Sequence, residues 1–186
     1  LMLEGVTLVV SPLISLMKDQ VMALKASGVA AAYINSSLTP GQQAEAIRRA
    51  AAGAYRIIYV APERLDMPSF LAFAQKARIP LLAVDEAHCV SQWGQDFRPS
   101  YLRIADFVRR LPRRPAVGAF TATATRRVRE DIVKMLELEE PLCLTTGYNR
   151  PNLHFASVKP TNKFTMLCSF LDTMPGECGI VYCNTR

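Results

Sequence analysis

The sequence predicts an α/β fold: a parallel sheet with helices on both faces. Two observations carry this. Short β-branched or apolar runs recur as far as Phe120, and amphipathic segments with helix start and stop signals separate them. The runs are Val6 to Val10, Ala31 to Ile34, Arg56 to Val60, Leu81 to Val84 and Ala116 to Phe120. Between the first two, Leu13, Leu16, Met17, Val21 and Leu24 share one helical face, with Ser11 as expected N-cap, Pro12 at the first helical position and Gly28 at the stop. Thr39-Pro40-Gly41-Gln42 opens the second helix with the spacing of a capping box, and Gly53 ends it. A further helix is expected from Arg126 to Leu136, turning Val128, Ile132, Val133 and Leu136 inward.

The pattern stops at the polar stretch from Thr145 to Asn152, which contains Gly147 and Pro151. A domain boundary is placed there, giving a first domain over 1–147 and a linker with the start of a second over 148–186. The second part is read as a strand from Leu153 to Val158, a helix from Thr161 to Leu171 and a strand from Gly179 to Cys183. Both chain ends fall close to an expected strand, so the chain is read as part of a longer one.

Composition narrows the class. Half of the 186 residues are apolar, enough for a sizeable core, and no stretch approaches the ~18 uninterrupted apolar residues of a spanning helix. With no leader-like amino end, a cytoplasmic protein without membrane contact is expected. The five cysteines (89, 143, 168, 178, 183) are irregularly spaced, which fits reduced, buried thiols better than a disulfide framework or a closed zinc site. The net charge is +6, with sixteen Arg against six Lys, so a polyanionic partner is plausible. The densest clusters, Arg109-Arg110 with Arg113-Arg114 and Arg126-Arg127 with Arg129, are read as solvated helix faces.

The chemistry concentrates at the carboxyl ends of the expected strands, where α/β folds keep their sites. Asp85-Glu86-Ala87-His88 follows the run that ends at Val84. A carboxylate there can hold Mg²⁺ through water while its neighbour orients or deprotonates the water that attacks a nucleoside triphosphate. The plain alternative is a helix start, with Asp85 as cap. Val10-Ser11-Pro12-Leu13 after the first strand offers amide groups and the Ser11 hydroxyl to a phosphodiester, and Val60-Ala61-Pro62-Glu63-Arg64 after the third does so with an added cation. Thr121 and Thr123 after the fifth present hydroxyls to the carboxylates or to His88. The stretch from Cys89 to Tyr101 carries Gln92, the single tryptophan Trp93, Phe97 and Arg98, a mixture suited to stacking on unpaired bases. Its alternative is a hydrophobic plug under the sheet.

Taken in order, these segments resemble the superfamily-two helicases, and the loop after His88 resembles the aromatic-rich loop of RecQ-type DNA helicases. The resemblance covers essentially the whole chain. It implies a RecA-like first domain followed by the beginning of a second RecA-like domain, joined through Asn149-Arg150-Pro151-Asn152, with the last motif at Ile180 to Arg186. It further implies ATP and Mg²⁺ as cofactors, and single-stranded and forked DNA as partners, with translocation 3′ to 5′ in repair or recombination. By the same resemblance Asp85 holds Mg²⁺ through water, Glu86 is the general base, and His88 couples nucleotide state to the loop and to Thr121 and Thr123. Ser11, Pro12, Lys18 and Gln20 belong to a strand-contacting motif, as do Pro62, Glu63 and Arg64. Gln92, Trp93, Phe97 and Arg98 sense single-stranded DNA.

The departures matter too. No Gly-x-x-x-x-Gly-Lys-Ser/Thr occurs, and none of the six lysines follows a glycine. The phosphate-cradling loop is therefore expected upstream of Leu1, and the family's arginine finger and any zinc region beyond Arg186. The 186 residues alone are expected to hydrolyse no ATP. An RNA helicase of the same superfamily and a nucleic-acid-binding module without catalysis are the competing readings.

Overall fold

A computed structural model describes residues 2–147 and 150–183. They fall into two compact units, Leu1–Leu142 and Cys143–Arg186. The first is built on five parallel strands, β1 (Thr7–Val10), β2 (Ala31–Ile34), β3 (Ile57–Val60), β4 (Leu81–Val84) and β5 (Ala116–Ala119), in the spatial order β2-β3-β1-β4-β5. The helices are α1 (Ile14–Ala26), α2 (Pro40–Ala51), α3 (Pro68–Lys76), α4 (Arg103–Arg109) and α5 (Arg126–Met135).

The chain's direction of travel decides which face each helix covers. Crossovers between parallel strands are right-handed. The step from β1 to β2 runs one way along the sheet, and the steps from β2 to β3, β3 to β4 and β4 to β5 run the other. Hence α1 lies alone on one face, opposite α2, α3 and α4. The core agrees: Leu8, Val10, Ile58, Val60, Leu82 and Val84 pack with Ile47, Phe70, Phe73, Phe107, Val128 and Ile132 from α2 to α5. On the other face Met17 and Val21 of α1 are buried, but Thr7, Val9, Ile57, Tyr59, Leu81 and Ala83 remain half-exposed. The expected cover on both faces is thus complete on one side and partial on the other, among the described residues.

Local signals explain most boundaries. The Thr39 hydroxyl accepts from the Gln42 amide and the Gln42 side chain accepts from the Thr39 amide, completing the capping box of α2. Thr125 caps α5 through the Val128 amide. Ser11 does not cap α1. Its amide donates to the Val60 carbonyl as an extension of the sheet, at 3.2 Å, and the helix starts three residues later behind Leu13. Of the five residues read as the inner face of α1, Met17 and Val21 are buried, Leu16 and Leu24 are half-buried and Leu13 is exposed.

The second unit contains α6 (Lys163–Asp172), capped by Asn162, whose side chain accepts from the Thr165 amide at 3.1 Å. The strands expected at Leu153 to Val158 and Gly179 to Cys183 are not formed. A strand needs a paired edge and a covered face, whereas Phe155, Ile180 and Tyr182 are 80% exposed or more. Asn149 of the expected linker and the residues after Cys183 lie outside the described residues. Among the described residues no helix is long and apolar enough to cross a membrane.

Candidate active site

The loops leaving β1 and β4 turn toward opposite faces of the sheet, and between such strands a doubly wound fold opens its binding crevice. Ser11 and Asp85 meet there. The Asp85 amide donates to the Val10 carbonyl at 2.8 Å, which extends the β1–β4 ladder by one residue and fixes where the carboxylate emerges. One Asp85 oxygen accepts from the Glu86 amide at 2.9 Å, and the other accepts from the buried Ser11 hydroxyl at 3.3 Å. Behind it, the fully buried Tyr101 donates its hydroxyl to the Asp85 carbonyl at 2.9 Å. Burial pushes the Tyr101 phenol upward, with negative charge at Cys89 and Asp85 adding to the effect, so it remains a donor.

Glu86 adopts a left-handed conformation, φ 47° and ψ 44°, which is unfavourable for a residue with a side chain. It begins a tight 3-10 turn over Ala87–Val90 without any side-chain capping bond, so the helix-start alternative leaves its carboxylate unexplained. The turn is tied to the next strand: the Phe120 amide donates to the Val84 carbonyl and the Ala87 amide to the Phe120 carbonyl. The Glu86 carboxylate instead lies 3.3 Å from His88 Nδ1, and the same nitrogen is 2.9 Å from the Thr121 hydroxyl. Thr121 accepts from the Thr123 amide and donates to the Thr123 carbonyl. With that hydrogen committed, the network assigns the His88 hydrogen to Nδ1. Glu86, His88 and Thr121 therefore form one connected chain; the Thr121 hydroxyl reaches His88 as the sequence suggested, whereas Thr123 joins through its backbone amide and carbonyl and not through the hydroxyl expected of it.

The loop after this turn is anchored at both ends. The Arg98 amide donates to the Cys89 carbonyl, its guanidinium grips Asp96 through two nitrogens (2.9 and 2.7 Å), and Nη1 reaches the Pro12 carbonyl at 3.2 Å. Arg98 is thus a strut between the loop and the β1–α1 connection. Trp93 is 62% exposed, which rules out the plug alternative. Gln92 is exposed and Phe97 half-buried. The Arg127 guanidinium of α5 lies 3.6 Å from the Trp93 ring centroid, and the buried Ser91 hydroxyl donates to Asp131 on the same helix at 2.5 Å.

Gly94 has a steric reason to be glycine. A Cβ there would sit 2.3 Å from the His88 carbonyl oxygen and 3.1 Å from that of Ser91. Gly94→Ala is expected to force the loop off His88 and cost about 1–3 kcal/mol, seen as a thermal midpoint several degrees lower. Gly41→Ala, in α2 with nothing within 4 Å of the added carbon, serves as the control and should leave the midpoint unchanged or raise it. An unchanged midpoint in Gly94→Ala would show that the loop does not depend on this contact.

Of the remaining expected residues, Ser11 alone bonds to a carboxylate of the site among the described residues. Lys18 and Gln20 are exposed on α1, with Gln20 accepting from the Tyr59 hydroxyl at 3.0 Å. Pro62 is buried in a 3-10 turn over Pro62–Arg64, Glu63 is exposed, and Arg64 is half-buried with its Nε buried and unpartnered. The Ser11 amide and hydroxyl, expected to face a phosphodiester, are already taken by Val60 and Asp85. Cys89 is the buried thiol of the expected kind, pushed up to about 11 by burial and by Asp96, whereas Cys143, Cys178 and Cys183 are exposed. Tyr101, Asp131 and Gly94 were not singled out from the sequence, and Arg127 was read there only as part of a solvated arginine cluster. Only the glycine, isolated in an aromatic loop, left a local signal. A cleft of about 370 Å³ lies at the opposite, amino edge of the sheet, between Gly5, Val6, Phe73 and Arg78, far from this chemistry.

Comparison with known proteins agrees with the geometry. The family of DEAD/DEAH box helicases matches residues 2–132. The chain belongs to that family. It is 47% identical over 186 residues to the ATP-dependent DNA helicase RecQ of Bacillus subtilis (strain 168), covering 100% of this chain and 32% of that protein. It is 41% identical to the ATP-dependent DNA helicase RecQ of Pasteurella multocida (strain Pm70), covering 98% and 29%. The chain thus spans about a third of the length of these curated relatives. Among solved structures, the Pyrococcus furiosus Hef helicase domain matches with a TM-score of 0.54 and 17% identity, over 73% of this chain and 28% of that one. The C-terminal domain of the DEAD-box protein Dbp5 matches at 0.52 and 10%, over 74% and 71%. At such identities these two establish the RecA-like α/β fold alone.

Proposed function

We propose that the chain is the part of a RecQ-type ATP-dependent DNA helicase in which the hydrolytic carboxylates meet the DNA-sensing loop. The observation that carries this is the physical continuity of the two: Gly94 of the loop packs on the His88 carbonyl, while the His88 ring joins Glu86 to Thr121. Movement of the loop on meeting an unpaired strand is then transmitted to the groups around the attacking water.

Asp85 suits a Mg²⁺ site of the water-mediated type. Each of its oxygens accepts one bond from the protein and keeps a lone pair for a metal-bound water. Among the described residues no group of three ligating side chains forms a closed metal cage, as fits an ion that leans on substrate phosphates and water. The bound ion would neutralise phosphate charge during transfer. The protein's own part is to fix Asp85 from Ser11, Val10 and Tyr101, to hold Glu86 where it can take a proton, and to keep His88 in one tautomer. Single-stranded and forked DNA, 3′ to 5′ translocation and a cytoplasmic setting belong to the same proposal.

The test is ATP hydrolysis by the full-length helicase with magnesium, titrated with single-stranded DNA and with RNA of the same sequence. Stimulation by DNA well above that by RNA is expected. Equal stimulation by both favours the RNA-helicase reading, and none by either favours a binding module.

A further inference from the structure

We propose that Arg127 is a positioning residue for Trp93: its guanidinium covers one face of the indole and holds the other toward solvent, ready for an unpaired base. This rests on the reading of the Gln92 to Arg98 loop as the DNA sensor.

Arg127 approaches the ring to 3.6 Å, well inside the range of a cation–π contact. Even so, Trp93 keeps 62% of its surface exposed, so the face away from Arg127 is open. An arginine on that face of α5 would ordinarily seek a carboxylate, yet no ion pair of Arg127 is formed among the described residues, while its neighbour Arg126 pairs with Glu130 at 3.0 Å. The guanidinium is committed to the indole.

The helix that carries Arg127 is a firm base. Thr125 caps it, and Val128 and Ile132 are buried in the core. Arg127 and Asp131 are four residues apart and therefore share a face. Asp131 takes the Ser91 hydroxyl at 2.5 Å, and the Trp93 amide donates to that same hydroxyl at 3.1 Å. One helix face thus holds the loop twice, at its root through Asp131 and at its aromatic tip through Arg127. A ring already fixed in orientation loses less freedom when a base stacks on it, so the contact raises the effectiveness of stacking without touching DNA. The arginine cluster read from the sequence as a solvated face gains a specific task at this one position.

Two measurements test this. In the 186-residue chain Trp93 is the single tryptophan, so its fluorescence reports the contact directly. Arg127→Ala is expected to change the emission and increase quenching by acrylamide, with Arg127→Lys in between. In the full-length helicase, Arg127→Ala is expected to raise the single-stranded DNA concentration for half-maximal ATPase stimulation about two- to fivefold. The slope of log affinity against log salt should stay as in wild type, and Arg127→Ala should add nothing in a Trp93→Ala background. A slope reduced by about 0.7, or an effect that adds to Trp93→Ala, would assign Arg127 to a phosphate and overturn the inference. No change in stimulation with Arg127→Ala, when Trp93→Ala does impair it, overturns the inference alone. Normal stimulation in Trp93→Ala overturns the sensor reading and the inference with it.

Discussion

Glu86→Gln in the full-length helicase is expected to lower ATP hydrolysis roughly 10²-fold or more while nucleotide still binds. Glutamine preserves the size of the side chain and can still contact His88, but it cannot accept a proton from water. A helix-start role does not account for the carboxylate: Glu86 makes no capping bond and occupies an unfavourable left-handed conformation. The residues that fix the site, Asp85 with Ser11 and Tyr101, are untouched by the change, so the loss should fall on the chemical step. The measurement is steady-state turnover beside binding of a fluorescent nucleotide. Turnover close to wild type would remove Glu86 from the role of base.

Trp93→Ala should abolish most of the stimulation of ATP hydrolysis by single-stranded DNA, and unwinding with it. Base stacking on an aromatic side chain is worth about 1–3 kcal/mol by alanine substitution. Because Trp93 is largely exposed, the change should lower stability little; a core tryptophan would instead cost roughly 3–5 kcal/mol. Arg98→Ala reaches the same end differently. It removes the grip of two nitrogens on one Asp96 oxygen and the bond to the Pro12 carbonyl, so the loop loses its strut to the β1–α1 connection. Stimulation should fall here too, accompanied by a modest drop in the thermal midpoint. Thermal unfolding and DNA-stimulated turnover on the same preparations separate the cases. A strongly destabilised Trp93→Ala with normal stimulation would defeat the sensor reading.

Five strands and the placement of Asp85 to His88 were readable because each rests on a local signal: an apolar run for the strand, and polar residues where it stops. The capping box at Thr39 and the helix beginning at Arg126 were readable for the same reason. Ser11 misled because Ser-Pro at a helix start is a local rule, whereas its amide is claimed by the sheet through Val60 and its hydroxyl by Asp85. The strands expected after Leu153 failed for want of partners, which sequence periodicity does not supply. Helices on both sheet faces were readable from the alternation of strand and helix signals, whereas their uneven division, α1 against α2 to α4, follows from three of the four crossovers running in the same direction, a property of strand order. Tyr101, Arg127 and Asp131 stayed hidden because their meaning lies in contacts with Asp85, Trp93 and Ser91, each remote in the chain.

The conformation of Glu86 has an evolutionary side. A left-handed residue that is not glycine carries a conformational cost on the order of 1 kcal/mol or more, and asparagine or glycine would sit there with less strain. Selection for folding alone would drift this position toward those residues, so under the proposed role of Glu86 as base it is selection for hydrolysis that would keep a glutamate there. Descendants freed from the need to hydrolyse ATP, while keeping the fold, would be recognisable by glycine or asparagine at this one position, beside an Asp85 still held in place by Ser11 and Tyr101.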